Sequence, residues 1–178
     1  MTETWIDESI EDYLNALAGG APVPGGGSAA ALAGALSAAL VSMVSNLTVG
    51  KPKYADVDAE MTELLAEAEE LRRRLTAVVD ADPRAFQQVM DAMQMPRDTD
   101  EEKAARTEAL QSALRAAAET PMQVAHAARN VMDLARTAAE KGNKNVVSDG
   151  GVAVLLSEAA LRSAALNVWI NKKKKKNE

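Results

Sequence analysis

The sequence has no cysteine, a single histidine and few aromatic residues, the last amounting to 3% of its 178 positions. Without cysteine there can be no disulfide and no thiolate metal site. The lone histidine, His126 in the run VAHAAR, has no constellation of acidic or thiol partners nearby and reads as an ordinary helix residue. With so few rings, the core must be built from aliphatic side chains and alanine. That favours closely packed helices over a β-sandwich. Strand signals are nearly absent as well.

Positive charge is also scarce. Lysine and arginine number 20 against 26 aspartates and glutamates, giving a net charge of -6 and a pI near 5.0. A chain this acidic, without a basic face, is a poor nucleic-acid binder. The exception is the lysine run Lys172 to Lys176, at the very end. The opening MTETWIDESIEDYL lacks the basic start and apolar core of a signal peptide, so a cytoplasmic location is expected. No charge occurs from Tyr13 to Gly50, a length that could span a bilayer. Pro22, Pro24, Gly19, Gly20, Gly25 and Gly26 break its first half, and the rest is mostly Ala and Ser. A buried helix of a soluble bundle is expected there, and no membrane partner.

Apolar residues make up 47% of the chain, enough for one domain with a real core. Periodicity and capping signals predict a helix from about Glu3 to Ala18, with Trp5, Ile6, Ile10, Tyr13, Leu14 and Leu17 on one stripe. After the loop GGAPVPGGG, Ser28 is the expected N-cap of a second helix to about Leu47. Leu32, Leu36, Leu40, Val44 and Leu47 form its large-residue stripe, while Gly34, Ser37, Ala38 and Ser45 allow close backbone approach. A third helix is expected from about Asp56 to Val79. Asp82-Pro83 reads as the start of a further helix to about Met93. Thr99 and Glu102 have capping-box spacing, for a helix to about Glu119. Thr120-Pro121 opens another, to about Lys141. Ser148 or Asp149 caps the last, through about Asn171, which is apolar on several faces and is expected to lie centrally. The prediction is an all-α bundle of about six to seven helices over residues 1–171, with 172–178 as a lysine-rich tail.

Three places could carry chemistry. Gly25, Gly26, Gly27 and Ser28 expose backbone N–H groups at a helix start, where an anion or a carbonyl-rich ring could dock. This is not a Walker loop, because no Gly-Lys-Ser/Thr follows. Lys51, Lys53 and Tyr54 cluster beyond the other end of that helix, as proton carriers or as solvated end residues. Asn143–Asn145, Ser148 and Asp149 form a polar loop. Glu158 follows as the only charge between Asp149 and Arg162, where a carboxylate needs a partner.

The segment PVPGGGSAAALAGALSAALVSMVSNLTVGKPKY resembles the signature of the formiminotransferase-cyclodeaminase family, in its cyclodeaminase domain. DPRAFQQVMDAMQMPRDTDEEKAAR, TPMQVAHAA and GNKNVVSDGGVAVLLSEAALRSAALNVWIN extend the resemblance in collinear order over about Ile6 to Asn171. The resemblance implies an all-helical homodimer, expected to associate through Ala/Gly/Ser-rich faces, that binds tetrahydrofolate derivatives with or without a polyglutamate tail. It implies no metal, and no cofactor beyond the folate substrate. The leading reaction is cyclodeamination of 5-formimidoyl-tetrahydrofolate to 5,10-methenyl-tetrahydrofolate and ammonia. Hydrolysis of the methenyl form to 10-formyl-tetrahydrofolate is the close alternative, and a non-catalytic folate-binding or dimerisation module the third. Lys51, Lys53 and Tyr54 match the family's Gly-Lys-x-Lys-Tyr-like stretch and are the expected catalytic residues. Gly25, Gly26, Gly27, Ser28, Asn46, Asp149 and Glu158 are the expected substrate contacts. Charge complementarity assigns the pterin's N–H donors to Asp149 and Glu158, and the anionic glutamate tail to the glycine loop or a lysine. The chain departs from the family pattern at KKKKKNE, where an acidic helix is usual.

Overall fold

The computed structural model describes residues 4–174. Its α-helices are α1 (Ile10–Leu17), α2 (Gly26–Asn46), α3 (Asp58–Gln94), α4 (Asp100–Lys141) and α5 (Val147–Lys174), with 3-10 turns at Pro52–Val57 and Lys144–Val146. No strand occurs among the described residues. The class is all-α as predicted, but with five α-helices among the described residues rather than six or seven. The difference lies in two prolines. Pro83 and Pro121 sit inside α3 and α4, helices of 37 and 42 residues, instead of opening new ones.

A proline within a helix removes one N–H and orphans the carbonyl four residues earlier. For Pro83 that carbonyl belongs to Val79, and the Ser28 hydroxyl donates to it at 2.8 Å. A tertiary contact thus replaces the lost bond and α3 continues. The expected capping box at Thr99 and Glu102 is present, with both reciprocal bonds made.

α1 is shorter than predicted. It begins at Ile10, where Ser9 accepts from the Asp12 N–H, while Glu3 lies outside the described residues. The preceding segment is anchored differently. The Trp5 N–H donates to Asp80 Oδ1 at 2.7 Å, and the Trp5 ring meets Tyr13 edge-on at 6.3 Å.

α2, not α5, is the central helix. Ala31, Ala38, Val41 and Val44 are fully buried, as are Ser37 and Ser45. A side chain at Gly34 would stand 3.1 Å from Leu75 of α3 and 3.6 Å from Ala160 of α5, so glycine sets the approach of three helices. The Ser37 hydroxyl donates to the Ala153 carbonyl at 2.6 Å. The small-residue face expected to carry self-association is therefore used within the chain. α5 likewise turns Ala153, Ser157, Ala160 and Ala164 inward and leaves Leu155 and Leu166 66% and 64% exposed. Close packing selects small residues for the core here, and the large aliphatics stand outside. α2 and the span Lys144–Ile170 are each long and apolar enough to cross a membrane by length and composition; α2 is mostly buried inside the bundle.

Candidate functional site

The glycine loop folds into one wall of a cavity of about 440 Å³, closed by α3, α4 and the end of α5. Gly25 is the N-cap of α2, so Ser28 lies in the first turn rather than at the cap predicted for it. Ser28 is completely buried and structural. Its hydroxyl donates to Val79, so the Tyr13 hydroxyl, 3.1 Å away, is the donor to it. Its backbone N–H is also committed, donating to Asp82 Oδ2 at 3.1 Å.

Asp82 is the residue that sequence reading missed. Its carboxylate lies against Gly27, where an added Cβ would come within 2.2 Å of Oδ1. Burial pushes its pKa above the ordinary carboxylate value, and the hydrogen bond from Ser28 partly opposes this. Oδ1 has no hydrogen-bond partner among the described residues. Ala85, Phe86, Val89, Met90 and Leu114 supply apolar wall, and Asn167 a polar group. The signal was present in AVVDADPRAF, two aspartates in an apolar helical run. Asp80 is 6% exposed and holds the Trp5 N–H, while Asp82 faces the cavity.

Lys51, Lys53 and Tyr54 lie at the opposite end of α2. That helix has 21 residues, a span of roughly 30 Å at 1.5 Å per residue. Here the structure joins two of the predicted groups. The Tyr54 hydroxyl donates to Asn143 Oδ1 at 3.3 Å and accepts from the Lys144 N–H at 3.0 Å. Asn143 also donates to the Leu47 carbonyl and to Thr48 Oγ1, both at 2.9 Å. Lys51 and Lys53 are exposed, and Lys53 Nζ lies 5.5 Å from the Tyr54 ring centroid. This end binds two loops together and displays two cations. The fold brings none of the three residues to the glycine loop.

The other candidates are scattered. Asp149 is half-buried in the first turn of α5, where a carboxylate suits the helix dipole. Glu158 is paired with Arg162 at 2.6 Å. Asn46 is exposed in a shallow depression with Ser42, Glu69 and Arg72. Arg72 hydrogen-bonds both Glu69 oxygens and holds that carboxyl down to about 2, with a smaller contribution from Ser42. The Ser42 hydroxyl is buried beside it, outside ordinary hydrogen-bond geometry. A separate cavity of about 490 Å³ between α3 and α4 includes Arg74 and His126.

A long-helix bundle with an acidic, glycine-walled cavity at one end of its core helix and a lysine-tyrosine cluster at the other defines a class of protein. Residues 9–178 match the formiminotransferase-cyclodeaminase family, and the chain belongs to it. It is 54% identical to a methenyltetrahydrofolate cyclohydrolase of Methylorubrum extorquens, over 94% of this chain and 80% of that protein. It is 35% identical to the formimidoyltransferase-cyclodeaminase of Rattus norvegicus, over 96% of this chain but only 32% of that longer protein. The crystal structure of a formiminotetrahydrofolate cyclodeaminase from Thermotoga maritima superposes with a TM-score of 0.82 at 34% identity, covering 94% of this chain and 80% of that one. The chain is an enzyme of the tetrahydrofolate one-carbon group.

Proposed function

We propose that the chain is a methenyltetrahydrofolate cyclohydrolase, converting 5,10-methenyl-tetrahydrofolate and water to 10-formyl-tetrahydrofolate. One observation carries this order of preference: the likeness to a cyclohydrolase extends over most of both chains, at an identity well above that to the cyclodeaminases. The cyclodeaminase reading, placed first on the sequence alone, stands second and is favoured by the backbone likeness to the Thermotoga protein. Both reactions act on the carbon between N5 and N10. In hydrolysis, water adds to the cationic methenyl carbon and loses a proton. The C–N5 bond then breaks as the remaining hydroxyl gives up its proton to become the formyl carbonyl and N5 takes one up, so one proton is released overall. In cyclodeamination, N10 attacks the formimino carbon and ammonia departs. Each needs a base and an acid near that carbon.

At the lysine end, the phenol of Tyr54 is already engaged as donor and acceptor. Lys51 or Lys53 is therefore the proton carrier we propose there. A folate monoglutamate is shorter than α2, so within one chain it cannot touch Asp82 and Lys51 together. A homodimer resolves this. α5 exposes Val152, Leu155, Leu166, Trp169 and Ile170, and α2 exposes Leu36, Met43 and Leu47, apolar side chains that a second copy would cover. A two-fold axis perpendicular to α2 would run the two copies of that helix antiparallel, so that the lysine end of one copy approaches the glycine end of its partner.

The reaction is tested by following methenyl-tetrahydrofolate absorbance. Loss of the signal from added methenyl-folate, faster than without enzyme, supports hydrolysis. Its appearance from formimino-folate, without the former activity, selects cyclodeamination. Lys51→Met or Lys53→Met is expected to lower turnover roughly a hundredfold for the true proton carrier. Tyr54→Phe is expected to keep most turnover and lose about 0.5–1.5 kcal/mol of stability from the severed loop contacts. Near-normal rates in all three variants would remove the cluster from the mechanism.

A further inference from the structure

We infer that the glycine-loop cavity holds the pterin end of the folate, with Asp82 as the group that recognises its ring N–H donors, and does not hold the glutamate tail. The inference rests on the folate reading above and assigns a direction to the substrate within it. It reverses the assignment drawn from charge complementarity in the sequence.

The reversal follows from what lines the cavity. A helix start with three glycines looks like an anion site, because its N–H groups carry partial positive charge. Here the chain's own carboxylate is already there. Asp82 accepts from the Ser28 N–H and fills the space beside Gly27. No lysine, arginine or histidine lines this cavity among the residues whose side chains are described. A glutamate carboxylate entering it would meet the Asp82 carboxylate with no cation in the described lining to offset either one.

What remains unpaired is acceptor capacity. An ionised carboxylate offers about four lone-pair sites, and only one, on Oδ2, is taken within the described residues. Asn167 uses its Nδ2 to donate to the Ser163 carbonyl at 3.0 Å, which leaves its Oδ1 as a further acceptor. A reduced pterin presents two adjacent donors, the 2-amino group and N3–H, on the edge of a flat ring. A carboxylate matches that pair with parallel hydrogen bonds. Phe86, Met90 and Leu114 suit the faces of such a ring, and about 440 Å³ falls within the usual range for a small-ligand pocket. The carboxylates previously favoured for this role are otherwise placed: Glu158 is paired with Arg162, and Asp149 lies in the first turn of α5.

The experiment titrates the full-length, isotopically labelled chain with two halves of the substrate and follows backbone amides by NMR. One half is 6-methyltetrahydropterin, and the other is p-aminobenzoyl-glutamate. The pterin is expected to shift the amides of Gly25 to Ser28 and Asn167, and Asp82→Asn is expected to weaken it by roughly 10–100-fold. Shifts at those amides from p-aminobenzoyl-glutamate instead of the pterin would overturn the assignment. So would saturating pterin that leaves them unmoved in the wild-type chain, a result that does not depend on the variant folding. Asp82→Asn binding the pterin as tightly as wild type would also overturn it. The two readings fail separately. Turnover of methenyl-folate without pterin shifts at the glycine loop keeps the reaction and rejects this assignment. Pterin binding there with no turnover of either folate keeps this assignment and rejects the reaction.

Discussion

The Ser28 N–H donates to Asp82 Oδ2 at 3.1 Å, across 54 positions of sequence. The contact places a partly buried carboxylate at the start of the core helix, lining a cavity. Burial raises its folded pKa above the unfolded value, so the native state binds its proton more tightly than the unfolded chain does. This contribution favours folding at low pH and is lost as pH rises from the unfolded to the folded pKa. Ionised Asp82 is thus a cost to stability at neutral pH. Asp82→Asn is expected to leave thermal stability at pH 7 equal to or above wild type, with any advantage shrinking as pH falls through the carboxylate range. Turnover should fall at least tenfold, on the scale of a lost charged hydrogen bond. Thermal melts at several pH values, run beside the assay, check this. A strongly destabilised variant would make Asp82 a structural residue.

Gly27 gives an independent handle on the same carboxylate. An alanine Cβ there would lie 2.2 Å from Asp82 Oδ1 and 2.5 Å from its carboxyl carbon, so the side chain must move. Gly27→Ala is expected to cost about 1–3 kcal/mol, the usual range for overpacking. Its activity loss should match or exceed that of Asp82→Asn. Gly26→Ala, with nothing nearer than 4.0 Å, is the control and should retain near-wild-type stability. Denaturant melts separate the two; equal stability would mean that the carboxylate yields without cost.

Glu69 and Arg72 predict the opposite pH dependence. Arg72 lowers the folded pKa of Glu69 to about 2, so this pair stabilises above the unfolded glutamate pKa and loses its contribution as pH falls toward 2. The side chains are 31% and 40% exposed, so solvent screening limits the gain to the scale of a surface pair, about 0–1 kcal/mol. Glu69→Gln is expected to lower stability by that much at pH 7, with the difference closing by pH 2–3. Differential melts at pH 7, 4 and 2.5 measure it, and a difference that grows in acid would contradict the assignment.

The fold class, the core helix and the Thr99 capping box were legible because each depends on local pattern: aliphatic periodicity, small-residue content and cap spacing. Helix count was not, because a proline's effect depends on what becomes of the carbonyl it orphans. Val79 is answered by Ser28, 51 residues away, and no local signal carries that. The inversion of the α5 faces has the same origin. Ala153, Ala160 and Ala164 lie inward because neighbouring backbones pass close, and a hydropathy stripe would choose the leucines. Among the candidate site residues, Lys51, Lys53 and Tyr54 were visible as a local cluster, and the tie between Tyr54 and Asn143 joins two predicted groups. Asp82 was not visible, because before a proline it reads as a cap. Only the meeting of α3 with the start of α2 shows the cavity it faces.

The span of α2 leads to a prediction about how sites are shared between copies. Asp82 lies at one end of the helix and Lys51 beyond the other, roughly 30 Å apart. If both serve one folate, they come from different copies of the chain. Asp82→Asn, and whichever of Lys51→Met and Lys53→Met removes the proton carrier, should each have strongly reduced activity alone. Co-refolded in equal amounts, half of the dimers would carry one copy of each variant. In such a dimer one site has both substitutions and the other has neither, so activity should return to about a quarter of wild type. If each site were built from a single chain, every site in the mixed dimer would hold one substitution and no activity would return. Light scattering on the same mixture supplies the necessary companion measurement. A clean monomer near 18.8 kDa at micromolar concentration would reject the dimer, and the shared site with it. Leu166→Glu, a charge placed on the exposed apolar face of α5, should shift the dimer toward monomer and lower activity while leaving the helical circular dichroism signal unchanged.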